Sequence, residues 1–282
     1  MNVAPAIRRR PIEQFVGLSL YALIVIVVML PLSWAFFGSF KPQAEIFAYP
    51  PTLIPQQFSL DGYLEVLRRT RIPDFLLNSM IVTTATTILV LMFASVAAYG
   101  FSRWDFRYKN IILVALLVCQ LIPASVTIIP YYLMMNQLNL LNTHVGMIVI
   151  FTATSIPFAL WILKGTFDAI PRSLDEAAII DGASRLKVLW MVILPVSLPG
   201  LGAAACLTFI TTWAEFLVPM VIANSPETTL VSVGIYNLFG RDSTTFYNQL
   251  FAAATLATTP VIIAYLLAQE QFISGLTGGA EK

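Results

Sequence analysis

The chain has 282 residues, 58% of them hydrophobic and 11% charged, with a formal net charge of +1. A soluble domain carries about one quarter charged residues, so this supply cannot clothe a water-soluble surface, and the near-neutral balance lacks the basic footprint of a nucleic-acid binder. Lipid is the solvent that suits such a chain, and the expected fold is an all-α, polytopic membrane bundle.

Arg8, Arg9 and Arg10 precede an apolar run from Phe15 to Phe37. The run exceeds the roughly 7–15 residues of a signal-peptide core and reaches the roughly 20 that cross a bilayer, which predicts a retained first span. Residues 38–74 are proline-rich and contain Leu60, Leu64 and Leu67 on one face of a short amphipathic helix. Five more apolar stretches run approximately from Phe75 to Phe101, Ile111 to Met135, Val145 to Leu163, Val196 to Ala223 and Tyr247 to Ala268. Residues 15–268 are therefore expected to hold six spans.

An even number of spans leaves both termini on one side, and basic loops mark the cytoplasmic side. Eleven Lys and Arg residues fall on the side of the termini and five on the other. This assigns 1–14, 165–195 and the tail 269–282 to the cytoplasm, and 38–74 and 224–246 to the exterior. Prolines at 123, 130, 157, 219 and 260 predict kinked spans. The pairs Ala94/Ala98 and Ala253/Ala257 allow close helix approach. Cys119 and Cys206 read as small core residues, and His144, the single histidine, reads as a polar residue at a helix start. No metal site is expected.

The 165–195 loop carries the strongest signal. Ser173 with Glu176 three residues later forms a capping-box pattern that would open a helix. Leu174, Ala177, Ala178 and Asp181 fall on adjacent turns of that helix. Gly182 supplies the left-handed residue that ends it, Ser184 is placed to cap a second helix, and that helix runs toward Pro195. The loop is expected to fold as helix, sharp turn, helix.

Glu176-Ala177-Ala178, then Gly182 after three residues, then Val192-Ile193-Leu194-Pro195 after nine more, resembles the EAA loop of ABC importer permeases, with valine where that family has isoleucine. The likeness extends through Asn78-Ser79, Leu141-Asn142-Thr143-His144, Lys164-Gly165-Thr166-Phe167 and the tail from Gln271 to Ala280, and points to the maltose-type, carbohydrate-importing permeases. That family's tail ends in a basic-glycine pair, whereas this chain stops at Glu281-Lys282.

The resemblance implies a type I importer permease of a prokaryotic plasma or inner membrane. Its implied partners are a second homologous permease, two copies of a P-loop ATPase and an external solute-binding protein. Its cargo would be a sugar or sugar-like solute. Ser173, Leu174, Glu176, Ala177, Ala178, Asp181, Gly182, Ala183, Leu194 and Pro195 would then form the ATPase-docking and coupling element.

Glu215, next to Trp213, lies deep in the fifth apolar run, where an ionisable side chain either lines a pathway or marks a helix break. Thr152, Thr154, Ser155, Thr211 and Thr212 either hydrogen-bond a hydroxylated cargo or bond their own helix carbonyls. The chain contains no Gly-x-x-x-x-Gly-Lys-[Ser/Thr] phosphate loop, so ATP and Mg are assigned to a partner and no cofactor to this chain. It also lacks Gly-x-Ser-x-Gly and a second histidine, so membrane-embedded catalysis is not expected. A self-sufficient ion channel would leave the capped helix pair unexplained.

Overall fold

The computed structural model describes residues 11–239 and 246–277, with side chains described over 16–238 and 246–269. Arg8, Arg9, Arg10, Gly240, Arg241, Asp242 and residues 278–282 lie outside that range. Regular structure among the described residues is entirely helical. In chain order the helices are α1 Pro11–Gly38, α2 Gln43–Ile46, α3 Asp61–Arg69, α4 Ile72–Arg103, α5 Lys109–Cys119, α6 Ala124–Gln137 and α7 His144–Asp168. There follow α8 Arg172–Ile180, α9 Arg185–Val188, a π-helical turn Leu189–Ile193, α10 Leu194–Val196, α11 Leu198–Ala214, α12 Leu217–Ile222, α13 Val231–Phe239 and α14 Tyr247–Thr277.

α1, α4, α7 and α14 are long and apolar enough to cross a membrane unbroken. The expected third span is instead two helices, α5 and α6, meeting at 96° across 120–123, where Pro123 ends the hydrogen-bonded ladder. The expected fifth span is also divided. The run that ends in α10 meets α11 at 84° around Ser197, and α11 stops at Glu215 before α12 begins. The helical spans number up to six when each bent pair is taken as one.

Contacts divide the chain into two units, residues 1–69 with 243–255 and residues 70–242 with 256–282. In the first unit, Ser39 Oγ and Tyr63 Oη share a hydrogen bond of 2.7 Å, and Gly38 faces the Phe251 ring so closely that a Cβ would lie 2.6 Å from it. Lys41 is buried, donating to the carbonyl and hydroxyl of Thr52. The Gln56 and Gln57 amides on Glu45, with the Thr52 hydroxyl and nearby Lys41, hold its carboxyl below the usual range. The packed face of α3 is Gly62 and Val66, whereas Leu60, Leu64 and Leu67 stay 44–48% exposed. The short helix expected there forms, and its leucines lie off the packed side. A Cβ on Gly62 would come within 2.7 Å of the Asn248 carbonyl oxygen, so it is close backbone approach that selects the buried side.

In the second unit, α4 and α7 run parallel: the ends of both meet at Arg103, which donates to the Phe167 and Ile170 carbonyls. α11 runs antiparallel, starting where Gly200 meets Thr166 at the end of α7. Two apolar cores form along these helices. One contains Val90, Ala94, Ala98, Leu160, Leu163, Phe167 and Ile193, so the Ala94/Ala98 pair is buried as its spacing predicts. The other contains Val82, Met147, Ile150, Phe151, Val218 and Ile222. Between them lies a layer of threonines: Thr83, Thr86 and Thr87 on α4, Thr152 and Thr154 on α7, and Thr208, Thr211 and Thr212 on α11.

The far end of this unit is fastened by side chains. Asn78 Nδ2 donates to the Glu227 and Thr229 carbonyls, and Ser79 Oγ accepts from Val231 N. Asn142 Oδ1 accepts from Asn224 N, Ser225 N and Thr228 Oγ1. Arg71 pairs with Glu227 at 3.0 Å and holds that carboxyl below its ordinary range. Thr143 Oγ1 caps α7 by accepting from Gly146 N, which leaves His144 as the first helical residue, as expected. Among the described residues no acidic, histidine or cysteine cluster has metal-binding geometry. Cys206 is buried, but Cys119 is exposed where α5 stops, contrary to its reading as a core residue.

The packing at two glycines gives opposite expectations. A Cβ on Gly200 would overlap the Thr166 side chain, whereas a Cβ on Gly100 meets nothing within 4 Å. Gly200→Val is expected to destabilise the chain by about 1–3 kcal/mol through overpacking. Gly100→Ala is expected to stabilise it by up to about 1 kcal/mol through helix propensity. Thermal melting of the detergent-solubilised protein should therefore shift down for the first and up for the second.

Candidate functional site

The 165–195 loop folds as the helical hairpin α8–α9. α8 starts at Arg172, directly after Pro171, and no side chain caps it. The expected Ser173–Glu176 capping box is therefore absent. Proline cannot extend a helix toward its N-terminal side, so the helix begins one residue before Ser173, which sits in its first turn. α8 ends in a Schellman arrangement: Ala183 N donates to Ala178 O and Gly182 N to Ile179 O, both at 3.0 Å, with Gly182 at φ +86°. Ser184 Oγ then accepts from Lys187 N and opens α9, as the sequence predicts.

The hairpin has a free face and a packed face. Ser173, Leu174, Glu176, Ala177, Asp181 and Gly182 are exposed, and so is Pro195. Ile179, Leu186 and Ile180, the last 85% exposed, are exposed apolar residues of the same hairpin. Ala178, Ala183 and Leu194 instead pack against the core that contains Leu189 and Ile193.

Asp175, invisible as a functional residue in the sequence, is the buried member of α8. Its carboxylate accepts Arg103 Nε at 3.1 Å and Nη2 at 3.0 Å, and Tyr99 Oη at 3.0 Å. Arg103 also donates through Nη1 to Ser102 Oγ and Phe167 O, and through Nη2 to Ile170 O. The two side chains are 6% and 10% exposed, so neither charge is well hydrated. Removing one partner of such a pair costs about 3–5 kcal/mol, because the other charge stays buried. The single sequence signal was a lone arginine closing a long apolar span. Beside it, the Arg185 guanidinium lies 5.0 Å over the Trp104 ring, whose edge-to-face partner is Tyr99.

The second candidate region surrounds Glu215. Two adjoining cavities of about 580 and 340 Å³ share Gln120, Phe151, Thr154 and Glu215 as walls. Ser155, Thr211, Thr212, Thr208 and Phe158 complete the smaller one. The structure thus brings together Ser155, Thr211, Thr212 and Glu215 from the expected pathway set. Thr154 and Thr211 turn their hydroxyls back to their own helices, onto Ile150 O and Leu207 O. Two expected residues do not line these cavities. Thr152 is buried against neighbouring helices, its hydroxyl without a partner among the described residues. Trp213 donates from Nε1 to Ala257 O at 3.0 Å and stacks on Phe209, so its indole ties α11 to α14. Glu215 itself is the break residue: its Oε1 accepts from Leu217 N and Val218 N and so caps α12. Gln120, which the sequence reading missed, closes the α5–α6 bend by donating from Nε2 to Thr154 O at 2.7 Å.

The chain is 31% identical to the sulfoquinovosyl glycerol transport system permease protein SmoH of Agrobacterium fabrum, over 93% of this chain and 91% of that one. It is 32% identical to the trehalose/maltose transport system permease protein MalG of Thermococcus litoralis, over 92% and 94%. The fold matches a chain of a bacterial ABC transporter involved in the import of the acidic polysaccharide alginate, with a TM-score of 0.82 and 23% identity over 96% of this chain and 100% of that one. Residues 90–277, which include the hairpin, the cavity walls and the Arg103 anchor, match the model of one family, and the chain belongs to it: the inner membrane components of binding-protein-dependent transport systems.

Proposed function

We propose that this chain is one of two membrane permeases in an ATP-driven importer of a sugar or glycoside handed over by an external binding protein. The observation that carries the reading is the α8–α9 hairpin, which exposes Glu176, Ala177, Asp181 and Gly182 together with the apolar Leu174, Ile179, Ile180 and Leu186, on a chain that has no phosphate loop of its own. A surface of that kind suits a separate ATPase, two copies of which would serve this permease and its related partner. ATP and Mg then belong to the partner, and this chain performs no bond chemistry. The carbohydrate reading draws on the printed cargoes of the relatives, among them sulfoquinovosyl glycerol and trehalose/maltose.

The mechanism follows from linkage. ATP binding can shift the access of a membrane cavity only if it favours one position of an element joined mechanically to that cavity. The hairpin is such an element, since Ala178 and Ala183 pack on the same core as α4 and α7, and α7 supplies Thr154 and Ser155 to the cavity wall. In the orientation assigned by the basic loops, the hairpin and both termini face the cytoplasm, while 38–74 and 224–246 face the binding protein. The cavity beside Glu215 is read as part of the solute path, with Phe151 and Phe158 as apolar walls and Ser155 and Thr212 as hydrogen-bonding groups.

Two experiments test the two halves of this reading. Tagged chain purified gently from membranes is expected to retain a P-loop ATPase, and Glu176→Lys and Gly182→Trp should each reduce that retention at least tenfold. Wild-type protein that retains no ATPase while other membrane complexes survive would sink the docking half. Ser155→Phe, which fills the smaller cavity, should keep the ATPase but lower solute uptake at least tenfold. Undiminished uptake would show that the path lies elsewhere.

A further inference from the structure

Besides the packing of Ala178 and Ala183 on the core and the Arg172 Nη2 bond to Ser102 O, the hairpin meets side chains at two points at the end of α4, Arg103 as its last residue and Trp104 directly after it. At the first, Arg103 bridges Asp175 in the first turn of α8 and the Phe167 and Ile170 carbonyls at the end of α7. At the second, Trp104 lies under Arg185, the first residue of α9. Tyr99 joins the two points, donating to Asp175 through its hydroxyl and packing edge-to-face on Trp104. A guanidinium suits the first position because its fork reaches the carboxylate and the carbonyls together, which an ammonium point charge cannot reproduce.

The other boundary of the hairpin is built differently. Beyond α9 the chain passes through the π-helical turn Leu189–Ile193 and bends by 84° at Ser197 before α11. Ser197 Oγ and N both bond Ile193 O, so the bend is satisfied locally, and among the described residues no charged side chain fastens it to a neighbouring helix, α11 meeting α7 there through the contact of Gly200 with Thr166. Wide turns and side-chain-capped breaks of this kind are common hinge positions.

We propose that Arg103 and Asp175 are positioning residues that make the α8–α9 hairpin, α4 and α7 one lever, so that a push on the Gly182 turn moves α4 and α7 directly while α11 turns about Ser197. This rests on the docking reading above and adds the route by which the docked ATPase moves the bundle. Ile170–Pro171 would otherwise be a flexible link between α7 and α8, and the Arg103 fork spans it. The lever ends on the cavity, because α7 carries Thr154 and Ser155.

The test uses the whole transporter purified through a tag on this chain and reconstituted in proteoliposomes, with Asp175→Asn, Arg103→Lys and Tyr99→Phe compared with wild type. ATPase retention and ATP hydrolysis should stay within twofold of wild type, while solute uptake per ATP hydrolysed falls at least tenfold for the first two variants and about two- to fivefold for Tyr99→Phe. A cysteine-free background labelled at Lys187→Cys and Gly165→Cys reports the hairpin–α7 distance by electron spin resonance. That distribution should be narrow with and without ATP in the wild type and broaden in Asp175→Asn. If Asp175→Asn fails to fold, Tyr99→Phe removes a single hydrogen bond from the same joint and carries the test. An unchanged ratio of uptake to hydrolysis in the folded variants, or an equally narrow distribution, overturns the lever. Loss of the ATPase from every variant but not from wild type also overturns it, since the joint would then serve docking alone. Absence of the ATPase from wild type speaks against the docking reading itself.

Discussion

Within a bilayer no water is at hand to satisfy a broken helix, so each interruption has to be repaired by the protein itself. Among the described residues the apolar helices bend or break at three places, and each has a polar side chain hydrogen-bonded to a helix backbone. Gln120 bridges from the α5–α6 bend to the Thr154 carbonyl, Ser197 bonds back to the Ile193 carbonyl, and Glu215 caps the amides of Leu217 and Val218. Each repair also fixes a direction of the chain. Two of the three residues, Gln120 and Glu215, form the wall shared by the two cavities. The cavity is thus where helices stop, and its polar groups are in part the groups that made stopping tolerable.

The threonine layer has the same origin. α4 and α7 join one core at one end and a second core at the other, α11 joins the first and α12 the second, and threonine occupies the positions between. Threonine tolerates this depth because its hydroxyl can return to the carbonyl three or four residues earlier, as Thr87, Thr154 and Thr211 do. Among the described residues Thr83, Thr86, Thr152 and Thr212 do not, and of these Thr212 sits in the wall of the smaller cavity.

Features governed by local backbone chemistry were legible in the sequence. Span length follows from composition, Gly182 was readable because a left-handed residue after an amphipathic run ends a helix, and Ser184 because serine caps the next one. Features governed by distant partners were not. Ser173 reads as a cap until Pro171 sets the helix start, and Asp175 reads as a solvated acid until Arg103, 72 residues away, takes it inward. Leu60, Leu64 and Leu67 form the more hydrophobic face of α3, yet Gly62 decides the packing by admitting the Asn248 backbone. Trp213 and Glu215 sit two residues apart on an apparent span. The break between α11 and α12 sends one to α14 and the other to the cavity, a divergence that no helical periodicity contains.

The distribution of charge follows from these constraints. A buried ion pair is a weak source of stability, because desolvation offsets most of its attraction. Apolar side chains of similar volume would hold α8 against α4 at least as well, so stability alone does not account for Arg103 and Asp175. The pair supplies direction instead. The fork accepts one arrangement of carboxylate and carbonyls, and a slide of α8 along α4 leaves a desolvated charge unmatched. An apolar contact between the same helices would permit such sliding at small cost. The stiff joint stands where the hairpin meets α4 and α7, and locally satisfied turns stand where it meets α11. Displacement of the hairpin is thereby directed along one path through the bundle, toward the helices that wall the cavity.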